Sequence, residues 1–385
     1  MPFFTKHVGK NAYTWNGVKK VPSAKVWFKT WNHKIDTQGS TGGNTFDTGI
    51  ENWITPSTDV PMNTSDGWYG YGIGMNGKIF ASKNRGSRSN PGGIMYDPAS
   101  GASGDIDTLI ANGHAATFDC GVTDQSGNIL PDGRLFFVDA DSSDTILLID
   151  PETLETETQA INGVFRASSA ARHPNGKIYG VSADEREIYE LDPETWEGKS
   201  IYALGSNNRS VTAMVGASEK LYILPLGDYG TIYDIKTGVG VTFGEPSDGS
   251  AFTANSFYKG ALAPNGCIYV QGRVGSNILK INTYTDEISY LSGGASRIGT
   301  NVGHNGKVYN SPYGASTASV LDPDTDTLTS FGSFSGSFRY HLGPPCFDGS
   351  FICPHFYNAG DFAKLIPSGG TIPEKFSYSP WLNRY

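Results

Sequence analysis

Apolar and polar positions along this chain recur as a phrase, not as a helical stripe. The phrase is clearest in residues 173–196, HPNGKIYGVSADEREIYELDPETW. A turn at Asn175-Gly176 leads into the run KIYGV, then a charged loop, a second run EIYEL, and a turn on Asp192-Pro193. Six more copies read MNGKIF…GGIMYDP, PDGRLFFVD…ILLIDPET, SEKLYIL…TIYDIKTG, PNGCIYV…NILKINTYT, HNGKVYN…SVLDPDT and FDGSFIC…FAKLIPS. The first apolar residue after each turn is Ile79, Leu135, Ile178, Leu221, Ile268, Val308 or Phe351, at intervals of 56, 43, 43, 47, 40 and 43 residues.

A period in the forties made of short apolar runs predicts a β-propeller and not a helical solenoid. Each period holds four strand candidates, as in RASSAAR, KIYGV, EIYEL and EGKSIYAL. Asn-Gly or Asp-Gly between the first two strands predicts a hairpin, with a type I′ turn as the expected geometry. Asp-Pro-x-Thr predicts the turn between the third and fourth strands, proline fixing φ at its second position. The runs IYGV, LLID and FFVD are apolar on both faces, which suits a sheet sandwiched between two others. The expected fold class is all-β: a seven-bladed β-propeller of four-stranded antiparallel blades over residues 67–385. A last outer strand near residues 371–376 and an aromatic tail (Tyr378, Trp381, Tyr385) end it. Such a ring absorbs roughly 300 residues, so the length calls for no second large domain.

Composition agrees: glycine is 49 of 385 residues and aromatics are 12%, as in a turn-rich protein with a large core. No apolar run approaches the roughly 18 residues of a membrane span. The start, MPFFTKHVGK, lacks the apolar segment of a secretory signal. Charge changes the picture at the N-terminus. Residues 1–40 carry seven lysines against one acid, a net +6, in a chain of net −9. Trp15, Lys19, Lys20, Trp27, Phe28 and Trp31 interleave aromatic and basic character there, as a short β extension, and are the candidate anchor. Residues 41–66 read as a linker. A basic arm on an acidic body suits docking to another protein, or packing on its own propeller. Nucleic acid is a poor fit, because the arm has no arginine and no recognisable module.

Candidate chemistry is sparse. Cys120, Cys267, Cys346 and Cys353 lack metal-ligand spacing, and whether Cys346 and Cys353 pair across a hairpin stays open. Gly72, Gly74 and Gly77 spell a dinucleotide fingerprint, but a strand follows where that motif needs a helix. Asp322, Asp324 and Asp326 resemble the opening of a calcium loop yet lack its glycine and its glutamate. Asp139, Asp141 and Asp144 offer at most a weak cation site. There is no GxSxG and no HExxH; His173 and His304 read as turn residues, leaving His114 and His341 nearest channel positions. No cofactor and no metal is implied. One recurrence is not needed for the turns. Arg166, Arg209, Arg297 and Arg339 each stand nine or ten residues before the turn position, where the chain enters the innermost strand. They read either as ion-pair struts to acidic loops or as a partial guanidinium ring that captures carboxylates.

The repeat resembles the YVTN/NHL-like and virginiamycin-lyase-like propeller superfamily over about residues 67–376. That resemblance implies the fold; with no matching acid–histidine set, lyase activity does not follow from it. The segment YTWNGVKKV…KVWFKTWN is similar to segments at the ends of tailed-bacteriophage virion proteins, and SPWLNRY to the aromatic endings of phage-encoded propellers. These imply a non-enzymatic virion appendage, made in the host cytoplasm. It would be anchored to other virion proteins by residues 1–40 and present its propeller to a protein or an acidic host glycan. The alternatives are a propeller enzyme, a lyase or hydrolase acting on a sugar or lactone, and a cytosolic interaction scaffold.

Overall fold

The structure, a computed structural model, describes residues 45–47, 52–54, 68–74, 77–83, 93–97, 102–105, 130, 132–138, 145–182, 185–205, 212–225, 229–244, 257–272, 277–294, 297–332, 340, 342–343, 345–346, 349–353 and 363–371. All regular structure among them is β-strand. Six successive stretches each fold as an antiparallel meander, and together they make a β-propeller. They span residues 68–105, 135–160, 162–203, 212–243, 257–291 and 297–331; below they are the first to sixth blades. The second shows three strands, because the start of its copy lies outside the described residues. In the third, Asn162–Gly163 adds a short parallel strand to the outer edge.

Second strands are buried on both faces: Leu135–Val138, Ile178–Val181, Leu221–Leu224 and Cys267–Gly272 are buried at every position. Outer strands such as Thr156–Ala160 are mostly half-buried or exposed. This gradient is the one expected of radial sheets stacked face to face. Blades approach closely at glycine: a Cβ on Gly260 of the fifth blade would lie 2.8 Å from Met214 Sδ and 3.0 Å from Leu224 Cδ1 of the fourth.

The seven-blade expectation needs correction, since six blades of the expected kind are present. The seventh copy does not form a meander of its own. Its strands Phe351–Cys353 and Ala363–Ile366 pair with each other, but the outer edge of Ala363–Ile366 is taken by Asn52–Ile54. Gly369–Thr371, near the stretch expected to supply the outer strand, pairs instead with Thr45–Asp47. With Asn52–Ile54 already hydrogen-bonded along that edge of Ala363–Ile366, the outer-strand place is not open to the residues that follow. A composite sheet results, with strands from both ends of the chain. It packs on the sixth blade through Tyr309, Val320, Phe351 and Leu365, while Cys346 and Ile352 share a buried cluster with Ile73 and Phe80 of the first. Two stretches within the expected linker are thus strands.

The hairpin turns also differ from expectation. In all seven copies, a residue with φ between 65° and 97° stands at the expected place: Gly77, Gly133, Gly176, Glu219, Gly266, Gly306 and Gly349. The residue before it does not share that conformation wherever it is described. His173 O accepts from Gly176 N at 2.9 Å and His173 N donates to Lys177 O at 2.8 Å, a type I turn followed by a left-handed residue. The turn is thus centred one residue earlier than expected, on Pro174-Asn175, and the same form appears without proline in Gly303–Gly306, where Gly306 N donates to Gly303 O at 2.9 Å. The Asp-Pro turns behave as read: Asp192 Oδ1 accepts from Glu194 N at 2.9 Å and Asp322 Oδ1 from Asp324 N at 3.0 Å.

Two predictions follow from the turns and the closure. Nothing lies within 4 Å of a Cβ built on Gly176, so Gly176→Ala should cost about 1 kcal/mol through φ alone. Glu219→Gly should gain a similar amount, less whatever the Glu219–Lys236 contact at 3.4 Å contributes; chemical denaturation reads both. Removing residues 1–54 should uncover the edge of Ala363–Ile366 and lower Tm by roughly 5 °C or more relative to removal of residues 1–40. Equal melting of the two truncations would show that Asn52–Ile54 does not close the ring.

Candidate functional site

The two ends of the propeller differ in kind. At one end lie the turns within each blade, between first and second strands and between third and fourth. These turns are stitched from blade to blade. Tyr222 OH donates to Asp286 Oδ1 at 2.7 Å, and Tyr269 OH to Asp326 Oδ1 at 2.9 Å, each reaching the next blade. Lys220 pairs with Asp286, and Lys280 with Asp326, in the same sense. Burial, with those carboxylates, raises the Tyr222 and Tyr269 phenols well above the ordinary range. His173 Nδ1 accepts from Asn175 N, which leaves Nε2 as the donor to Glu219 O at 2.9 Å. His304 Nε2 reaches Cys346 O at 2.9 Å. Asp322 and Asp326 are therefore turn and strut residues, and among the described residues no group of three or more His, Cys, Asp or Glu could hold a metal. Gly72, Gly74 and Gly77 form a strand and its turn into Ile79–Lys83.

The opposite end, where the chain enters each innermost strand, holds the recurrent arginines. Arg166 and Arg297 are described; Arg209 and Arg339 lie outside the described residues. So do Trp15, Lys19, Lys20, Trp27, Phe28 and Trp31, as well as His114, His341, Asp139, Asp141, Asp144 and Cys120. Arg166 is half-exposed and donates to Glu185 Oε1 at 2.8 Å, inside its own blade and not across to a neighbour. Glu185 also accepts from Tyr189 OH, and its backbone N donates to Ser182 Oγ at 3.1 Å. Burial pushes the Glu185 carboxyl up, but the Tyr189 hydroxyl and Arg166 outweigh it and hold the group below its usual range.

Arg297 has a different setting. It opens the innermost strand of the sixth blade, Arg297–Val302, with only 1% of its surface exposed. Its Nη2 donates to Thr317 Oγ1 at 3.2 Å, and burial lowers the guanidinium to about 10, still charged at neutral pH. The neighbouring innermost strand, Phe257–Leu262, carries a second buried cation, Lys259, at 5%. Both strands break register there: between Phe257 and Gly260, and between Arg297 and Gly299. Extra residues in a strand re-aim side chains, and such bulges cluster beside functional sites. Around the two cations the same blades bury neutral polar groups. Ser319 Oγ donates to Gln271 Oε1 at 3.2 Å across the blade boundary, Thr300 Oγ1 to Asn310 Oδ1 at 2.9 Å, and Ser311 Oγ to Tyr340 O at 2.6 Å.

Of this set only Arg297 was singled out from sequence. A signal for the others was present. After their turns, the second, third and fourth copies read LFFV, IYGV and LYIL, whereas the fifth and sixth read IYVQ and VYNS, with Gln271, Asn310 and Ser311 in apolar places. Cys346 and Cys353 are buried thiols, and Cys346 stands opposite Ser350, not Cys353.

No protein-family model matches the chain, and no curated protein matches its sequence. Solved structures do resemble it. A streptogramin B lyase superposes with TM-score 0.63 at 15% identity, covering 83% of this chain and 99% of the lyase. A catalytically inactive virginiamycin B lyase from Staphylococcus aureus with quinupristin gives 0.61 at 14%, covering 82% and 98%. Hydrazine synthase of Kuenenia stuttgartiensis gives 0.58 at 14%, covering 82% and 99%. At these identities the likeness shows the propeller fold. It also overturns the expected non-enzymatic virion appendage: the structures that this chain resembles along almost their whole length are enzymes, the streptogramin lyases foremost, and no link to a phage protein is found.

The Arg166–Glu185 pair is a partly exposed strut, so Arg166→Ala should cost no more than about 1 kcal/mol. Because the folded carboxyl of Glu185 titrates below its unfolded value, its contribution is present above the unfolded pKa and is lost as pH falls through the folded one. Denaturation of wild type and Glu185→Gln should therefore differ at pH 7 and converge in acid. An undiminished gap in acid would refute the assignment.

Proposed function

We propose that this chain is a propeller enzyme, a lyase or hydrolase that opens an ester or glycosidic linkage in a lactone or sugar substrate. Its site is the entry end of the fifth and sixth blades. The observation that carries this reading is the buried polar set there: Lys259 and Arg297, on innermost strands that are bulged beside them, with Gln271, Asn310, Ser311 and Ser319 on the second and third strands. Burying polar and charged groups costs free energy that an apolar blade interface would not incur. A propeller needing only stability would repeat the LYIL of the fourth blade. Opening an ester leaves negative charge on the departing carboxylate, and opening a glycosidic bond leaves it on an alkoxide. Preorganised cations and donors in a dry setting stabilise such charge as it develops. The full-length likeness to streptogramin and virginiamycin lyases supports the lyase side of the reading.

The test is turnover by the full chain. Quinupristin, a set of simple lactones and aryl glycosides would be incubated with the protein and followed by mass spectrometry. Elimination leaves the mass of a ring-opened product unchanged, whereas hydrolysis adds one water. Arg297→Gln should reduce kcat/KM by about a hundredfold if the guanidinium stabilises the leaving group. Failure to open any ester or glycosidic substrate would sink the proposal.

A further inference from the structure

We infer that the outer strand of the fourth blade, Val239–Phe243, pairs with the same strand of a second copy of this chain. The surface is the outer margin of the ring and uses no residue of the site proposed above. Exposed apolar surface is concentrated there. Among the described residues five large hydrophobic side chains are exposed, and three of them, Tyr229, Val239 and Val241, belong to this one blade. Val239 and Val241 are 55% and 62% exposed, and alternation along the strand puts them on one face. Between them, Gly240 meets the Tyr202 ring of the third blade, where a Cβ would come within 2.4 Å of Cζ. The valines therefore stand on the side away from that ring. Tyr229 lies over Gly244, just past the end of the strand.

Charged side chains and covering segments keep a sheet edge from recruiting another strand. Other outer strands here have such protection. Thr156–Ala160 carries Glu157, Glu197–Ala203 carries Glu197 and Lys199, and Glu287–Leu291 carries Glu287. The exposed positions of Thr327–Phe331 are threonine and serine. Two edges are completed by added strands, Asn162–Gly163 on the third blade and Asn52–Ile54 on Ala363–Ile366. Val239–Phe243 has neither charge nor cover among the described residues. Its one sheet neighbour is Gly230–Asp234, and Tyr202 OH reaches Gly240 O only at 3.4 Å. Charge and shape then name the occupant. Antiparallel to itself about Val241, the strand sets Val241 beside its own copy, Gly240 opposite Thr242 and Val239 opposite Phe243. No charged side chain enters that pair, and β-branched residues facing each other stabilise it. A partner strand bearing charges would bury them there unanswered. Such self-pairing is isologous, so it closes at two copies.

Sedimentation velocity on the full chain, over a wide range of protein concentration, is the test. It should show a reversible equilibrium between monomer and dimer. Val241→Lys and Val239→Lys should each weaken association by about tenfold or more, because a lysine on an edge opposes strand addition. Both positions are exposed, so circular dichroism should stay that of wild type. Thr329→Lys, exposed on the outer strand of the sixth blade, should leave association unchanged. Pairing about Val241 has its own signature. Val241→Cys should give a disulfide-linked dimer on oxidation, since the two residues sit side by side across the twofold axis; Thr329→Cys should not. A chain that stays monomeric at every concentration would overturn the inference. So would association that Val241→Lys leaves intact, or a dimer that Val241→Cys does not cross-link. If a lysine variant fails to fold, the other one and the cross-link decide.

Discussion

The structure depends on one constraint: second strands such as Leu135–Val138, Ile178–Val181 and Leu221–Leu224 are apolar and buried on both faces, so each sheet needs a neighbour on either side. Leu221–Leu224 is buried at every position because blades flank it before and behind. A linear stack would leave two such faces in water, and closing the stack into a ring leaves none. Closure is where the repeat alone is insufficient. The last copy contributes two strands, and its outer edge is completed by Asn52–Ile54 from the other end of the chain. The ring is held shut by hydrogen bonds between chain ends, not by a covalent link.

Twofold burial also dictates how the blades are tied. Apolar faces give attraction without angular preference, so register between neighbours comes from directional contacts at the turns. Tyr222 and Tyr269 each place a hydroxyl on the turn carboxylate of the next blade, Asp286 or Asp326, and a lysine completes each pair. His173 contributes a neutral version of the same tie to Glu219 O. Its ring is kept from protonating by burial, and the Nδ1 lone pair accepts from Asn175 N. Fixing one end in this way leaves the other available for loops of varied length and content, the usual division between scaffold and function.

Much of this was legible in the sequence. The turn phrase located every hairpin, and in all seven copies the expected residue has positive φ, including Glu219, which is not glycine. What misled were properties that no local phrase encodes. Asn175-Gly176 suggests a type I′ turn, but the hairpin closes between His173 and Gly176, so Pro174 and Asn175 are its central residues and Gly176 alone is left-handed. Seven phrases suggested seven equivalent blades, but whether a copy completes its own sheet depends on what the distant strand Asn52–Ile54 does. The candidate site was half-visible: Arg297 stood out through a recurring offset, while Lys259, Gln271 and Asn310 matter only because two copies bring them to one boundary.

Arg166 and Arg297 show why a repeat position is not a function. Both enter an innermost strand, at offsets from the turn that differ by one residue. Their pairing differs more than their offsets suggest: Arg297 stands within its strand, opposite Pro312, whereas Arg166 precedes the strand Ser169–Arg172 by three residues. Arg166 stays half-exposed beside a carboxylate, where solvent screens the pair and its energetic weight is small. Arg297 is drawn inside, against a threonine hydroxyl and next to a strand that buries a lysine. Burial there disfavours the charged form but leaves the guanidinium cationic at neutral pH. The same side chain is therefore a half-exposed strut in one blade and a buried strand residue in another. The difference arises from where each stands relative to its strand, Arg297 inside it and Arg166 before it.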